Sequence, residues 1–291
     1  MATVLVTGSS SGFGELTVKT VAAAGHRVFA TMRHVHERNA DAARRLSTWS
    51  RENGHDLSIV DMDVTDEESV QKAVQRAESR AGSIDVVVNN AGASAAGPLE
   101  AFSISQMAAL LDLNVLGPMR VNKAVLPAMR ARRSGLIIWI TSTLGRVLPG
   151  RGGLYPATKW AAEGFAESLH YQVAPFGIDL VILEPGSFPT PAISKSMPAE
   201  DRQVVAEYAE ATPPADRVQP APDYQPPNPQ EIADAVLRLL EMPAGHRPLR
   251  HVVGPVFTDG VAEYNATYER VRANLEASLR RPDQAITWGR R

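Results

Sequence analysis

The stretch TVLVTGSSSGFG, residues 3–14, decides the fold. Thr3–Val6 is a short, mostly β-branched apolar run. It breaks into glycines at Gly8, Gly12 and Gly14, and a helical pattern begins there. A strand covered on both faces reads as a continuous apolar run, not an alternating one. Glycine lets the backbone turn tightly and approach a ligand closely. The start of the following helix offers unpaired N–H groups and a partial positive charge, which together suit a pyrophosphate. The turn Gly8, Ser10, Ser11, Gly12, Phe13, Gly14 is therefore expected to hold a nucleotide. Its spacing departs from G-x-G-x-x-G, and no GK[ST] follows as in a P-loop.

The same kind of run recurs along the chain. Arg27–Thr31, Leu57–Val60, Ile84–Val88, Leu136–Ile140 and Ile178–Leu183 are strand candidates, each separated from the next by helical stretches. Thr65 with Glu68 and Ser103 with Gln106 fit capping boxes. Gly25, Gly82 and Gly135 stand where helices should stop. Repeated alternation predicts an α/β fold with a Rossmann-type doubly wound parallel sheet. From Ser187 the composition shifts to proline, including PPADRVQPAPDYQPPNP, with one short helix near Ala199–Ala209. Loops this long in compact domains are functional or disordered. Gln230–Glu241 then reads as an amphipathic helix, His251–Val253 as a last strand and Asp259–Leu279 as a terminal helix. The expectation is a single domain over 1–291 with a substrate lid inserted at 187–230.

Composition narrows the function. With 291 residues, 44% hydrophobic and 21% charged, the chain can bury a large core unaided. Its net charge of −2 provides no general attraction for nucleic acid. Cysteine is absent, which excludes disulfides, thiolate metal sites and cysteine nucleophiles. No metal site is read elsewhere. MATVLVTG lacks the basic n-region of a signal peptide, and no apolar run approaches the roughly 20 residues of a membrane span. A cytoplasmic protein is expected.

Chemistry concentrates in TSTLGRVLPGRGGLYPATKW, residues 141–160. Tyr155 and Lys159 are four apart, on one face of a helix. An ammonium beside a phenol should lower the phenol's pKa and make it a proton carrier near neutral pH. Ser142, at the end of a strand, could hold a substrate oxygen as charge develops on it. Doubly wound sheets bind ligands outside the carboxyl ends of their strands. Ser142, the glycine turn and the turn after Ile84–Val88 should thus converge on one crevice. The second strand, RVFATMR, ends in Arg33 where NAD-binding folds often place an acid for the ribose 2′-hydroxyl. A guanidinium suits a phosphate there, which favours NADP(H) over NAD(H).

These residues together resemble the short-chain dehydrogenase/reductase family. The resemblance is strong over residues 2 to about 190. TG-x-x-x-G-x-G stands as Thr7, Gly8, Gly12 and Gly14, and N-N-A-G as Asn89, Asn90, Ala91 and Gly92. Asp63 and Val64 match an adenine-contacting pair, Asn114 the family's helix asparagine, and Ser142, Tyr155 and Lys159 the catalytic set. Pro185, Gly186 and Thr190 match P-G-x-x-x-T, with Phe188 inside it. The resemblance implies that Tyr155 is the general acid or base, that Lys159 lowers its pKa and binds the nicotinamide ribose, and that Ser142 orients the substrate oxygen. It further implies that Asn114 holds a water leading from Lys159, and that Thr190 contacts the carboxamide. VFATMR is similar to NADP-preferring members near the steroid and retinoid dehydrogenases.

A small-molecule carbonyl or alcohol substrate should meet Ala93–Ala96 (Ser94 among them), Thr143, Leu144, Leu148, Gly186–Phe188 and the proline-rich segment. Most are apolar, which suggests a bulky apolar substrate. Arg146 and Arg151 could instead recognise an anion. Relatives are often homodimers or homotetramers built on helices near 104–132 and 155–174. Three other functions compete: an NAD-dependent alcohol dehydrogenase of the same family, a sugar-nucleotide epimerase and a cofactor-binding redox sensor. The glycine spacing argues against the epimerase, and the retained Tyr155 and Lys159 argue against the sensor.

Overall fold

The computed structural model describes residues 1–148, 153–211, 226–255 and 258–279. Seven strands form one parallel sheet: β1 (Thr3–Val6), β2 (Arg27–Met32), β3 (Leu57–Asp61), β4 (Val86–Asn89), β6 (Gly135–Ile140), β7 (Ile178–Pro185) and β9 (Arg250–Val253). Their order is β3-β2-β1-β4-β6-β7-β9. Two dipeptides, β5 (Ala95–Ala96) and β8 (Met197–Pro198), pair separately. Around them lie α1 (Gly12–Ala23), α2 (Ala40–Asn53), α3 (Glu67–Ala81), α4 (Ile104–Leu111), α5 (Gly117–Arg132) and α6 (Leu154–Val173). The remaining helices are α7 (Pro191–Ser194), α8 (Arg202–Glu210), α9 (Gln230–Glu241) and α10 (Thr258–Leu279).

The apolar runs are continuous because both faces of the sheet are covered. Leu5, Phe29, Val87, Ile137 and Leu180 point to one side, against Val70 of α3, Val121 of α5 and Ala166 of α6. Val4, Val6, Val28, Val88, Ile138 and Val181 point to the other, against Val21 of α1, Leu46 of α2 and Val236 of α9. Every strand predicted from the sequence is present. The expected Ile84 start moves to Val86, since Ile84 is buried in the turn before β4.

Two boundary signals were misplaced. Thr65 does not cap α3. Asp66 does, accepting from the N–H groups of Glu68 (2.9 Å) and Ser69 (3.3 Å), while the Thr65 hydroxyl donates to Asp63 at 2.7 Å. A carboxylate one residue closer to the helix took the role. Gly135 does not end α5 either. Arg133 adopts the left-handed conformation at φ 54°, and Gly135 opens β6 against Met129. The Ser103–Gln106 capping box forms as expected.

The strand order reverses at β1, which lies between β2 and β4, so a crevice opens at the carboxyl ends of β1 and β4. Of the expected 187–230 lid, residues 187–211 and 226–230 are described. Its short helix is α8, three residues later than expected at its start, because Asp201 caps it. The insertion is tied down through β8 on β5 and through Gln106, whose amide donates to the Pro198 carbonyl and accepts from the Glu200 N–H. Residues 212–225 of the proline-rich stretch lie outside the described residues.

Candidate active site

The glycine turn has the geometry a dinucleotide needs. Gly8 and Gly12 sit at φ 68° and 58°, the left-handed region that favours glycine. A Cβ on Gly14 would run into the Gly8 carbonyl and the Asn90 amide, so α1 approaches the turn with nothing between. Ser11 precedes α1 in an extended conformation, with its hydroxyl unused as a cap. The first-turn N–H groups of α1 therefore have no side-chain partner, and an anion fits there.

The β4 turn is stitched to this one. Thr7 Oγ1 accepts from the N–H groups of Asn90 (2.9 Å) and Ala91 (2.8 Å). The Asn90 amide donates back to the carbonyls of Thr7 (2.8 Å) and Gly8 (3.1 Å). Asn90 thus shapes the turn, its amide engaged with protein. Gly92 backs onto Asn114 Oδ1.

Asn114 lies in a π-helical turn, Asp112–Leu116, between α4 and α5. Such turns often mark functional sites. Its side chain accepts from the Ala93 N–H and donates to the Ala93 carbonyl, both at 3.0 Å, and donates to Thr158 Oγ1 at 2.9 Å. Thr158 in turn donates to the Tyr155 carbonyl at 2.8 Å. The sequence reading missed Thr158, although its place between Tyr155 and Lys159 on the same helix was a signal.

β6 ends at Ile140, and Ser142 emerges extended from it. Its Oγ accepts from the Leu144 N–H at 3.1 Å and contacts the Tyr155 phenol. α6 starts after Gly153 and carries Pro156 in its first turn, where proline is tolerated. Lys159 is buried one turn on, with Nζ 3.1 Å from the Ile140 carbonyl and 5.6 Å from the centre of the Tyr155 ring. Burial pushes the Lys159 pKa down to about 8, against a smaller upward pull from Glu163. Burial also pushes the Tyr155 phenol above its ordinary range, and the Ser142 contact only partly offsets this. The lowering of the phenol by Lys159 expected from sequence is therefore not the net balance. Desolvation outweighs the Ser142 hydrogen bond.

Arg33 leaves the end of β2 partly exposed, its Nη1 3.6 Å from Asp63 Oδ2. That spacing is a loose ion pair that leaves the guanidinium donors available. Asp63 itself is held by the Thr65 N–H and hydroxyl, and Val64 packs under Gly117. Pro185 ends β7. Thr190 and Pro191 fold back to line a pocket with Gly12, Glu15 and Leu16. Phe188 turns inward, its ring edge-to-face with Phe13 at 5.6 Å, so its side chain is core.

On the substrate side, Ser94 and Leu144 are half-buried and Leu148 is exposed. Arg146 corrects an expectation. It is buried, donates to Asn265 Oδ1 at 2.8 Å and lies 4.8 Å from the ring centres of Tyr264 and Tyr268. It cannot present its charge to an anionic substrate. Arg151 lies outside the described residues.

Residues 2–201 match the family described as short chain dehydrogenase. The chain belongs to that family. As a short-chain dehydrogenase it is an oxidoreductase acting on CH–OH or C=O groups. It is 37% identical over 187 residues to a 3-ketodihydrosphingosine reductase of Bacteroides thetaiotaomicron, covering 64% of each chain. It is 33% identical over 272 residues to retinol dehydrogenase 8 of Bos taurus, covering 89% of this chain and 84% of that one. Among solved structures, an alcohol dehydrogenase from Thermococcus sibiricus complexed with 5-hydroxy-NADP superposes with a TM-score of 0.71 at 28% identity, covering 88% of this chain and 97% of that one. Among the described residues of this short-chain dehydrogenase, no helix is long and apolar enough to cross a membrane.

Proposed function

We propose that the protein is an NADP(H)-dependent oxidoreductase that interconverts a carbonyl and a secondary alcohol in a bulky, mostly apolar substrate. The observation that carries the cofactor choice is Arg33, a partly exposed guanidinium at the end of β2 with only a loose partner in Asp63. A ribose 2′-phosphate would find a charge-assisted donor there. The relative solved with 5-hydroxy-NADP supports the same choice. The substrate class is supported by the relatives named for retinol and 3-ketodihydrosphingosine and by apolar Ala93, Ala95, Leu144 and Leu148 near the crevice. The segment 187–230 would act as the lid. The absence of cysteine suits a reducing cytoplasm. Exposed Leu111, Leu116, Trp160 and Phe165 on α4 to α6 suit a homodimer or homotetramer.

Gly8 to Gly14 and the start of α1 would hold the pyrophosphate, Arg33 the 2′-phosphate, Asp63 and Val64 the adenine, and Lys159 and Thr190 the nicotinamide end. When bound, the nicotinamide supplies or accepts the hydride. The chain supplies the rest. Ser142 Oγ holds the substrate oxygen against the Tyr155 hydroxyl. In reduction that hydroxyl donates its proton to the carbonyl oxygen as the carbon gains hydride. In oxidation the oxygen returns the proton. A phenol raised by burial is protonated at neutral pH, the form reduction requires. Lys159, held by Ile140, keeps a positive charge beside the phenolate left by proton donation. Asn114 fixes Ala93 and Thr158 on either side of the reacting group.

The test is NADPH consumption with a panel of bulky ketones and aldehydes. Tyr155→Phe should lower kcat by about 10²- to 10⁴-fold, the usual contribution of a positioned proton donor, and leave cofactor affinity unchanged. Retained turnover in that variant would remove Tyr155 from the mechanism.

A further inference from the structure

Behind the reacting residues lies a buried cluster of charge that the mechanism above does not use. Glu163, Glu167 and Glu184 are buried with Arg146 and Arg250, three carboxyl groups around two guanidiniums, and burial pushes the Glu184 carboxyl up to about 8. Buried ion clusters are weak stabilisers, because well-packed apolar side chains often do as well. Among the described residues, Glu163 joins this one to the reacting residues. It stands one helical turn beyond Lys159 on α6. Its Oε1 accepts from Thr141 Oγ1 at 2.6 Å, and Thr141 immediately precedes Ser142. Its Oε2 accepts from Arg250 Nε at 3.0 Å, on the edge strand β9. The turn after Ser142 rests on the same spot: a Cβ on Gly145 would lie 3.0 Å from the Lys159 carbonyl oxygen and 3.1 Å from Glu163 Cγ.

We propose that Glu163 is a positioning residue: its buried carboxylate locks the Ser142 end of β6 against the Tyr155–Lys159 helix and provides the counter-charge that keeps Lys159 an ammonium. The remaining charges hold Glu163 in place. Arg250 is shared with Glu167 at 2.6 Å, Glu184 at 3.5 Å and Glu269 at 3.6 Å. Arg146 lies 3.9 Å from Glu184. From α10, Asn265 donates to Glu184 at 2.6 Å and Tyr268 donates to Glu167 at 3.1 Å. Tyr155 flanks Lys159 on the crevice side. The terminal helix, beyond the residues that match the family, is thereby coupled to the reacting centre. Burial pushes the Glu163 carboxyl above the usual carboxylate range, Arg250 and the Thr141 hydroxyl draw it back, and its pull on Lys159 is upward.

The inference rests on the proposed roles of Ser142 and Lys159. Its first test needs neither cofactor nor substrate, so it can fail independently of the NADP(H) reading. The chain has only five lysines. With lysine labelled at Cε, an NMR pH titration should show one that half-titrates near pH 8, and its signal should vanish in Lys159→Arg. In Glu163→Gln that midpoint should move to lower pH. An unmoved midpoint would overturn the counter-charge role. Thr141→Val leaves every charge in place and guards against misfolding of Glu163→Gln. It should lower kcat on the order of 10- to 100-fold, the scale of a misplaced catalytic group, with KM and cofactor affinity unchanged. An unchanged kcat would overturn the positioning role.

Discussion

Burial is the largest influence on the acidity of both Tyr155 and Lys159. Removing the lysine from water takes it to about pKa 8, and removing the phenol from water moves its pKa the other way. The spacing of the pair was legible in the sequence, since four residues on a helix share a face. The direction of the phenol's shift was not, because desolvation depends on what the rest of the chain packs around it. Arg146 shows the same limit. As a string it is a loop arginine, and only α10, more than a hundred residues later, makes it a buried one. A pH dependence follows. Lys159 is an ammonium below its pKa and neutral above it. For carbonyl reduction, kcat/KM should therefore hold through neutral pH and decline as pH passes about 8. A profile flat to pH 10 would mean that the ammonium is not needed.

Among the elements, strands were read more faithfully than helix ends. A strand covered on both faces announces itself by an unbroken apolar run, as in VVV of β4 or LIIWI of β6. Helix ends depend on which of several neighbouring polar side chains reaches the first N–H groups. Asp66 outcompeted Thr65 there, and Arg133 took the left-handed position that Gly135 was expected to fill. Asp66→Ala should cost about 1 kcal/mol of stability, as the loss of a helix cap does, measured by urea unfolding. No change would mean that Thr65 takes over the cap. On α6, Lys159, Glu163 and Glu167 repeat at four-residue steps, so they share one helix face. That regularity was visible, but a charged stripe ordinarily marks a solvated face, and nothing local reveals that β7, β9 and α10 bury this one. The tight backbone of the glycine turn was legible: Gly14→Ala would force α1 away from Gly8 and Asn90, and should weaken cofactor binding and lower the melting temperature together.

At the scale of the whole molecule, the reversal of strand order at β1 gathers residues from distant parts of the chain around one crevice. Gly8 to Gly14, Asn90 to Gly92, Ser142 and Thr190 all follow carboxyl ends of strands, and Tyr155 and Lys159 come in on the helix beyond Ser142. This convergence could be anticipated from the alternation of strands and helices. The network that backs the site could not, because its members at 146, 163, 184, 250 and 265 are joined only by the sheet and the terminal helix. The central claim is that this crevice binds a nicotinamide dinucleotide and that Arg33 selects the phosphorylated form. The most direct measurement is a fluorescence titration of the purified protein with NADPH and NADH, repeated on Arg33→Ala. The account predicts tighter binding of NADPH by the wild type, and a loss on the order of 10- to 100-fold for NADPH, the value of one charge-assisted hydrogen bond, with NADH little affected. Equal affinities in the wild type, or equal losses in the variant, would contradict it.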